Sequence, residues 1–200
     1  MMRLSIQSDI DKAISQMQSI CAPGQLAFAV SRALTQTAKD VQAEVRANMP
    51  GRFTLRRNWI VQGILVKFAT KANLEAIVYS RDDFMRAQEY GGTKDPRGNY
   101  LAIPTSLVRR TPKDVIRRAD RPRALGDKAE VVEVNGNKFL ALKRPRRGAN
   151  GNMLRFMYLL VDRAQIDQRL KLNEDGRRVA AANFQQHLLD AIAYAMRTRR

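Results

Sequence analysis

The fold is decided around residues 82–104, whose sequence is D-D-F-M-R-A-Q-E-Y-G-G-T-K-D-P-R-G-N-Y-L-A-I-P. Two aspartates mark a helix start, and about two helical turns follow them. Gly91 and Gly92 then end the helix, because glycine adopts the left-handed conformation of a helix C-terminus without a steric penalty. A polar loop leads into a short strand that Pro104 closes. We interpret the stretch as an architectural junction, with the rest of the chain laid out on either side of it.

Two helices are predicted on the N-terminal side of the junction. Residues 1–22 carry apolar side chains at helical spacing, which predicts an N-terminal helical arm. Pro23 breaks this arm and suits the first turn of the next helix. From there apolar residues recur every three or four positions as far as Val45. This pattern predicts an amphipathic helix of about 25 residues, ended by the Met-Pro-Gly sequence at 49–51.

The remaining elements are predicted from changes in apolar periodicity. Residues 60–79 alternate with a period of two around a short polar turn, which predicts an antiparallel hairpin. Asn135-Gly136 separates two further strand-like runs, and a type I′ turn needs positive φ at both of its central residues. Residues 153–161 are apolar on both faces and predict a central strand. An apolar stripe over 177–196 predicts the last helix, with Asp175 or Asn173 as its N-cap.

This order of elements predicts an α+β fold, with a long N-terminal helix and a C-terminal helix packed on a curved antiparallel β-sheet. The chain has 200 residues and 44% hydrophobic residues, which predicts a single cored domain over residues 23–200. Residues 106–130 contain two prolines and few apolar side chains. They are predicted to be an extended basic loop or arm inserted in that domain.

The formal net charge of +17 predicts a polyanionic neighbour or an acidic protein surface. Residues 109–147 hold thirteen Lys/Arg against five Asp/Glu. Three interpretations stay open: a solvated arm, contact with a nucleic-acid backbone without base reading, and docking onto an acidic protein. The candidate DNA- or partner-contacting residues are Arg109, Arg110, Lys113, Arg117, Arg118, Arg121, Arg123, Lys143, Arg144, Arg146 and Arg147.

Several classes of protein are disfavoured by the sequence. The longest apolar run, 156–161, is far shorter than the ~20 residues of a membrane-spanning helix, and the N-terminus lacks the apolar core of a signal peptide. The single cysteine, Cys21, excludes an internal disulfide framework. His187, the only histidine, has no ligand or catalytic partner near it in sequence, so we expect a structural role. The sequence predicts a cytoplasmically made, soluble, non-enzymatic protein with no metal or cofactor.

Five segments, taken in order, resemble a known family. They are A-L-T-Q-T-A-K-D-V-Q (33–42), M-P-G-R-F-T-L-R-R-N-W (49–59), K-A-N-L-E-A-I-V-Y-S (71–80), Q-E-Y-G-G-T-K (88–94) and Y-L-A-I-P-T (100–105). In this order the chain resembles the minor tail, or tail-completion, proteins of long-tailed bacteriophages, in particular the minor tail protein Z type. The resemblance covers most of the chain. The arginine-rich arm departs from the shorter members of that group, so its role is not inherited from them.

The resemblance implies a structural virion protein rather than an enzyme. Such a protein is expected to form a homo-oligomeric ring, expected to have six subunits, at the head-proximal end of the tail. There it would contact the tail terminator, the neck or head–tail connector proteins and the end of the packaged DNA, after assembly in the host cytoplasm. The alternative from the charge is a stand-alone, sequence-independent nucleic-acid-binding protein of α+β fold.

Overall fold

The computed structural model describes residues 2–5, 23–145 and 152–198, which form the predicted α+β fold. The helices are α1 (Pro23–Arg52), α2 (Trp59–Gln62), α3 (Met85–Tyr90), α4 (Pro122–Leu125) and α5 (Leu172–Arg197), with 3₁₀ turns at Arg118–Asp120 and Gly126–Lys128. The strands are β1 (Met2–Ser5), β2 (Ile64–Lys67), β3 (Ile77–Ser80), β4 (Gly92–Lys94), β5 (Leu101–Pro104), β6 (Ala129–Val134), β7 (Asn137–Pro145), β8 (Asn152–Val161) and β9 (Ala164–Ile166).

The chain divides into two compact units, whereas the sequence predicts one domain over residues 23–200. Gly92–Ile166 form one unit, here called the inserted unit. The residues before and after it form the other, here called the helical unit. The boundary falls between Gly91 and Gly92, inside the predicted junction. Both glycines have positive φ, of 71° and 138°, a conformation that other residues adopt only with strain.

The long helix α1 is confirmed, and it forms the centre of the helical unit. Its apolar stripe is buried against β2, β3 and α5, and includes Leu34, Val41 and Val45, each fully buried. The helix does not end at Pro50 as predicted but continues to Arg52. A proline in the last turn removes few helical hydrogen bonds. The amide of Phe53 still donates to the carbonyl of Met49 at 2.9 Å.

The helical unit contains a three-stranded antiparallel sheet in the order β1-β3-β2. The predicted hairpin is present as β2 and β3, but its strands are shorter because residues 59–62 form α2. The predicted N-terminal helix is wrong for residues 2–5, which pair as a strand with β3. The backbone groups of an open strand edge outweigh weak local helix periodicity. The rest of that predicted arm, residues 6–22 with Cys21, lies outside the described residues.

The inserted unit contains a four-stranded antiparallel sheet, in the order β5-β8-β7-β6, and the two-stranded sheet β4-β9. The Asn135-Gly136 turn is confirmed, with φ of 51° and 75°. Strand β8 lies between β5 and β7, as its apolar character on both faces predicts. The single curved sheet expected from the sequence is therefore three separate sheets among the described residues.

The extended arm predicted for residues 106–130 is a packed segment instead. Val108 and Leu125 are buried against Met157 and Tyr158 of β8. The hydroxyl of Tyr158 donates to the backbone carbonyl of Asp120 at 2.6 Å. The large apolar residues are few, but Val108, Ile116 and Leu125 enter one cluster, which the composition of the segment does not show.

Helix α5 begins earlier than predicted because a carboxylate from another helix satisfies the first amides of its first turn. Glu89 on α3 accepts hydrogen bonds from the amides of Leu172 and Asn173 at 2.7 and 2.9 Å. Asp175, predicted as a cap, lies one turn inside and is buried. It accepts two hydrogen bonds from the Arg52 guanidinium, at 2.6 and 3.0 Å. The pair joins the end of α1 to the start of α5.

The variant Asp175→Asn tests this junction. We expect the free energy of unfolding to fall by about 3 kcal/mol, because removing one charge of a buried ion pair leaves the other uncompensated. The control is Glu174→Gln, which removes a neighbouring but exposed charge from the same helical turn and should change stability by less than about 0.5 kcal/mol. Urea unfolding followed by circular dichroism measures both. Equal effects of the two variants would contradict the assignment.

The same pair predicts a dependence of stability on pH. Burial alone would raise the pKa of Asp175, but the hydrogen bonds from Arg52 and Asn48 outweigh it and hold the pKa below its ordinary value. The ionised carboxylate therefore stabilises fully above the unfolded pKa of about 3.9, and this contribution is lost as the pH falls through the lower folded pKa. The stability difference between wild type and Asp175→Asn should shrink below pH ~4. A difference that stays constant there would count against this pKa.

Candidate functional site

The inserted unit carries most of the protein's positive charge. It holds seventeen Lys/Arg against seven Asp/Glu, a net charge of +10 out of +17. All eleven predicted contact residues belong to it. The structure divides them by whether an acidic partner lies beside them.

Two of the predicted arginines are used inside the fold. The Nε and Nη2 atoms of Arg109 donate to the carboxylate of Asp120 at 2.9 and 2.8 Å. These hydrogen bonds, against the effect of burial, lower the pKa of Asp120 below its ordinary value. Arg110 lies 3.4 Å from Asp114 and also donates to its carbonyl. Both arginines therefore form ion pairs within residues 105–128, which connect β5 to β6 and are here called the 105–128 segment. Neither presents a free charge.

Four more of the predicted basic residues lie on β7 or directly after it in the sequence. Lys143 lies 2.6 Å from Glu130 on the neighbouring strand, and both side chains are largely exposed. An exposed ion pair of this kind contributes little to stability, but it neutralises the charge locally. The side chain of Arg144, and Arg146 and Arg147 entirely, lie outside what the structure describes.

The remaining five predicted residues form the candidate site, here called the basic turn: Lys113, Arg117, Arg118, Arg121 and Arg123. Their side chains are all exposed. Within the described ranges, none of them has an acidic side chain in ion-pair distance. They lie within the eleven positions from Lys113 to Arg123, which include the 3₁₀ turn at Arg118–Asp120 and the start of helix α4. The turn therefore presents five uncompensated cations to solvent.

Hydrogen bonds and packing hold the backbone of the basic turn in place. The amide of Asp120 donates to the carbonyl of Arg117 at 2.9 Å, and the amide of Leu125 donates to the carbonyl of Arg121 at 3.1 Å. Burial of Leu125 against Tyr158, and the Arg109 ion pair to Asp120, attach the turn to the sheet. The anchoring residues could not be recognised from the sequence, because Asp120 looks like one more acid in a charged run.

The opposite face of the same sheet is apolar. Ile103, Leu159, Phe139 and Val132 are register partners in one row across all four strands. The rings of Phe139 and Phe156 lie 5.1 Å apart. These side chains are exposed or half-buried, and the buried clusters of residues 23–145 and 152–198 include none of them. We call this surface the open sheet face: Leu101, Ile103, Val132, Val134, Phe139, Phe156, Leu159 and Val161.

The helical unit contains a groove of about 680 Å³ between α1 and α5. Phe28, Arg32, Lys39 and Tyr194 are among its lining residues, and the Arg32 guanidinium lies 4.4 Å from the Tyr194 ring centroid. His187 borders this groove.

His187 joins the two long helices. Its Nε2 lies 2.6 Å from a carboxylate oxygen of Asp40 on α1, and Asn183 donates to the same oxygen at 3.0 Å. Burial alone would raise the pKa of Asp40, but these hydrogen bonds outweigh it and lower the pKa. This partner could not be recognised from the sequence, since 147 residues separate the two. The structural role of His187 stays a prediction.

In the parts of the chain that the structure covers, no group of three or more His, Cys, Asp or Glu side chains is placed to hold a metal ion. None of the described helices is long and apolar enough to cross a membrane.

A protein-family model matches residues 1–153, and its description is "Family of unknown function (DUF6441)". This match covers more than half of the chain. The protein belongs to the DUF6441 family. In this DUF6441 chain the matched residues include the whole basic turn and five of the eight residues of the open sheet face, and α5 lies beyond them. No curated protein and no solved structure matches the chain.

The division of the arginines in this DUF6441 protein can be tested by stability. Arg109→Gln removes the hydrogen-bond donors of the buried Asp120 carboxylate, so we expect the thermal unfolding midpoint to fall by at least about 2 °C. Arg118→Gln is the matched control, because it removes the same charge from an exposed side chain and should leave the midpoint within about 1 °C. Differential scanning calorimetry measures both. A larger effect of Arg118→Gln would reverse the assignment of the two residues.

Proposed function

We propose that this DUF6441 protein is a structural protein of a phage tail. It assembles with further copies of itself into a ring that completes the head-proximal end of the tail and joins it to the neck. The observation that carries the proposal is the open sheet face. The resemblance of the sequence to tail-completion proteins supports the position in the virion.

The open sheet face has the composition of an assembly surface. Eight apolar side chains lie together on one face, and contiguous apolar patches on proteins mark interaction sites. Fully burying one such side chain contributes roughly 1.5–3 kcal/mol. Ile103 and Val134 are exposed and the other six side chains of this face are partly buried, so a part of that free energy is still to be gained on association. The charged residues Glu130 and Lys143 at its end neutralise each other.

A second copy of the chain suits this face better than a charged partner. The basic turn lies on residues 105–128, which cover the opposite face of the sheet. Two copies of net positive charge can therefore approach through an apolar surface without bringing their basic turns together. Interfaces between identical subunits are more apolar than transient ones. Contact of this face with a different surface of the next copy, repeated around an axis, closes a ring.

The proposal places the protein in the virion, with assembly in the host cytoplasm. Its partners are further copies of itself, six in the ring, together with the tail terminator, the neck or connector proteins and the packaged DNA end. This role contains no catalytic step.

A stand-alone, sequence-independent nucleic-acid-binding protein is the second candidate, and the basic turn is the observation that favours it. The two differ in whether the chain associates with itself through the sheet.

The variant Val132→Glu tests the assembly surface. A carboxylate in the middle of the apolar row should convert the oligomer to a monomer, because its charge would have to be buried without a partner. Val131→Glu is the matched control, since Val131 precedes it on the same strand, points to the other face and is 57% exposed. Sedimentation velocity gives the mass of each form, and circular dichroism shows whether both variants fold.

Each outcome decides the proposal. A wild-type ring that only Val132→Glu disrupts, together with loss of head-to-tail joining in an assembly assay, supports it. A wild-type chain that stays monomeric at high concentration and does not join tails overturns it. Loss of the oligomer in both variants alike would assign assembly to another surface.

A further inference from the structure

We propose that the basic turn binds the phosphate backbone of duplex DNA without reading the bases. The inference deepens the proposed function and rests on it, because it names the anionic partner that a protein at the DNA-bearing end of a tail would contact. It is carried by the five exposed cations of the turn and by the way in which their acidic neighbours are held.

Two of the three acids of residues 105–128 are already engaged. Asp120 is buried with only 3% of its surface exposed, and it accepts both hydrogen bonds from Arg109. Asp114 lies beside Arg110. The exposed acid of the segment, Asp127, follows after helix α4. The charges of Arg117, Arg118, Arg121 and Arg123 are therefore available to an external anion.

The composition of the turn favours phosphate over a protein surface. A protein interface needs an apolar core, but Val108 and Leu125 are buried in the sheet, with Ile116 packed beside them. Leu107 is exposed on the segment, but four of the five cations of the basic turn are arginines, whose planar fork matches the oxygens of phosphate in a bidentate geometry. A rigid backbone reduces the ordering cost of binding, since only the side chains have to be fixed.

The turn lacks the groups that would read or stack bases. Residues 105–128 contain no Phe, Tyr or Trp. Proteins that bind single strands combine a basic groove with aromatic side chains on which bases stack. Backbone contacts alone give binding that is independent of sequence and falls steeply with salt. Duplex DNA is therefore the form of nucleic acid that fits the turn.

The expected signature is the salt dependence of binding. If each of the five cations neutralises one phosphate, the slope of log K against log salt for a mixed-sequence duplex should be about −4 to −5. Substitution of Arg117, Arg118, Arg121 and Arg123 by Gln should reduce the slope to about −1. The affinity at about 50 mM salt should fall at least about tenfold, because most of the released counterions are lost with the four charges.

A matched control removes the same charge from the helical unit. Its four substitutions are Arg57→Gln, Lys67→Gln, Arg86→Gln and Arg177→Gln, all at exposed positions. Fluorescence anisotropy with a labelled duplex, from about 50 to 200 mM salt, measures wild type and both variants. Polyglutamate is titrated in parallel as an acidic polypeptide. Calorimetry checks that both variants fold.

The outcomes separate the possibilities. A slope that the basic-turn variant loses and the control variant keeps supports the inference. Equal losses in both variants would mean attraction by net charge alone and would overturn it. Binding to polyglutamate but not to the duplex would also overturn it, in favour of an acidic protein partner. Sedimentation of the same variants distinguishes the two proposals, since a ring that forms without binding DNA overturns this inference and leaves the proposed function standing.

Discussion

The helical unit depends on the ion pair between Arg52 and Asp175. The chain leaves this unit after Gly91 and returns at Asp167, so α5 has to find α1 after an insertion of 75 residues. Arg52 fixes the return by holding both the carboxylate of Asp175 and the carbonyl of Leu170, the latter at 2.6 Å. Glu89 satisfies the amides at the start of the same helix. These polar contacts set the register in which the apolar stripes of α1 and α5 then pack.

The sequence predicted the elements better than their grouping. The stripe of α1, the Asn135-Gly136 turn and the central position of β8 all follow from local patterns, because periodicity and turn chemistry act over a few residues. The split into two units does not, since it depends on which strands pair at long range. The same limit applies to residues 106–130, where a few apolar side chains suffice because Val108, Ile116 and Leu125 enter one cluster.

The candidate site shows why the count of charges is a poor guide to their use. All eleven predicted basic residues look alike in the sequence. Arg109 differs from Arg118 because it forms an ion pair with the buried Asp120. The segment that carries Asp120 is held by Tyr158 and Leu125, which lie on other elements. The open sheet face was not predicted either, because the alternation of a strand shows which residues share a face but not which face remains uncovered. Position, not composition, separates the structural cations from the available ones.

The pairing of β4 with β9 has a consequence for the order of folding. Gly92 lies opposite Ile166 in this ladder, so the first and last residues of the inserted unit are brought together. Arg52 and Asp175 are separated by 123 residues in sequence, but once the ladder forms, the loop between them is shorter than half of that. The entropic cost of closing it falls by roughly 0.6–0.8 kcal/mol. An inserted unit that folds first would thus speed the docking of α5 onto α1.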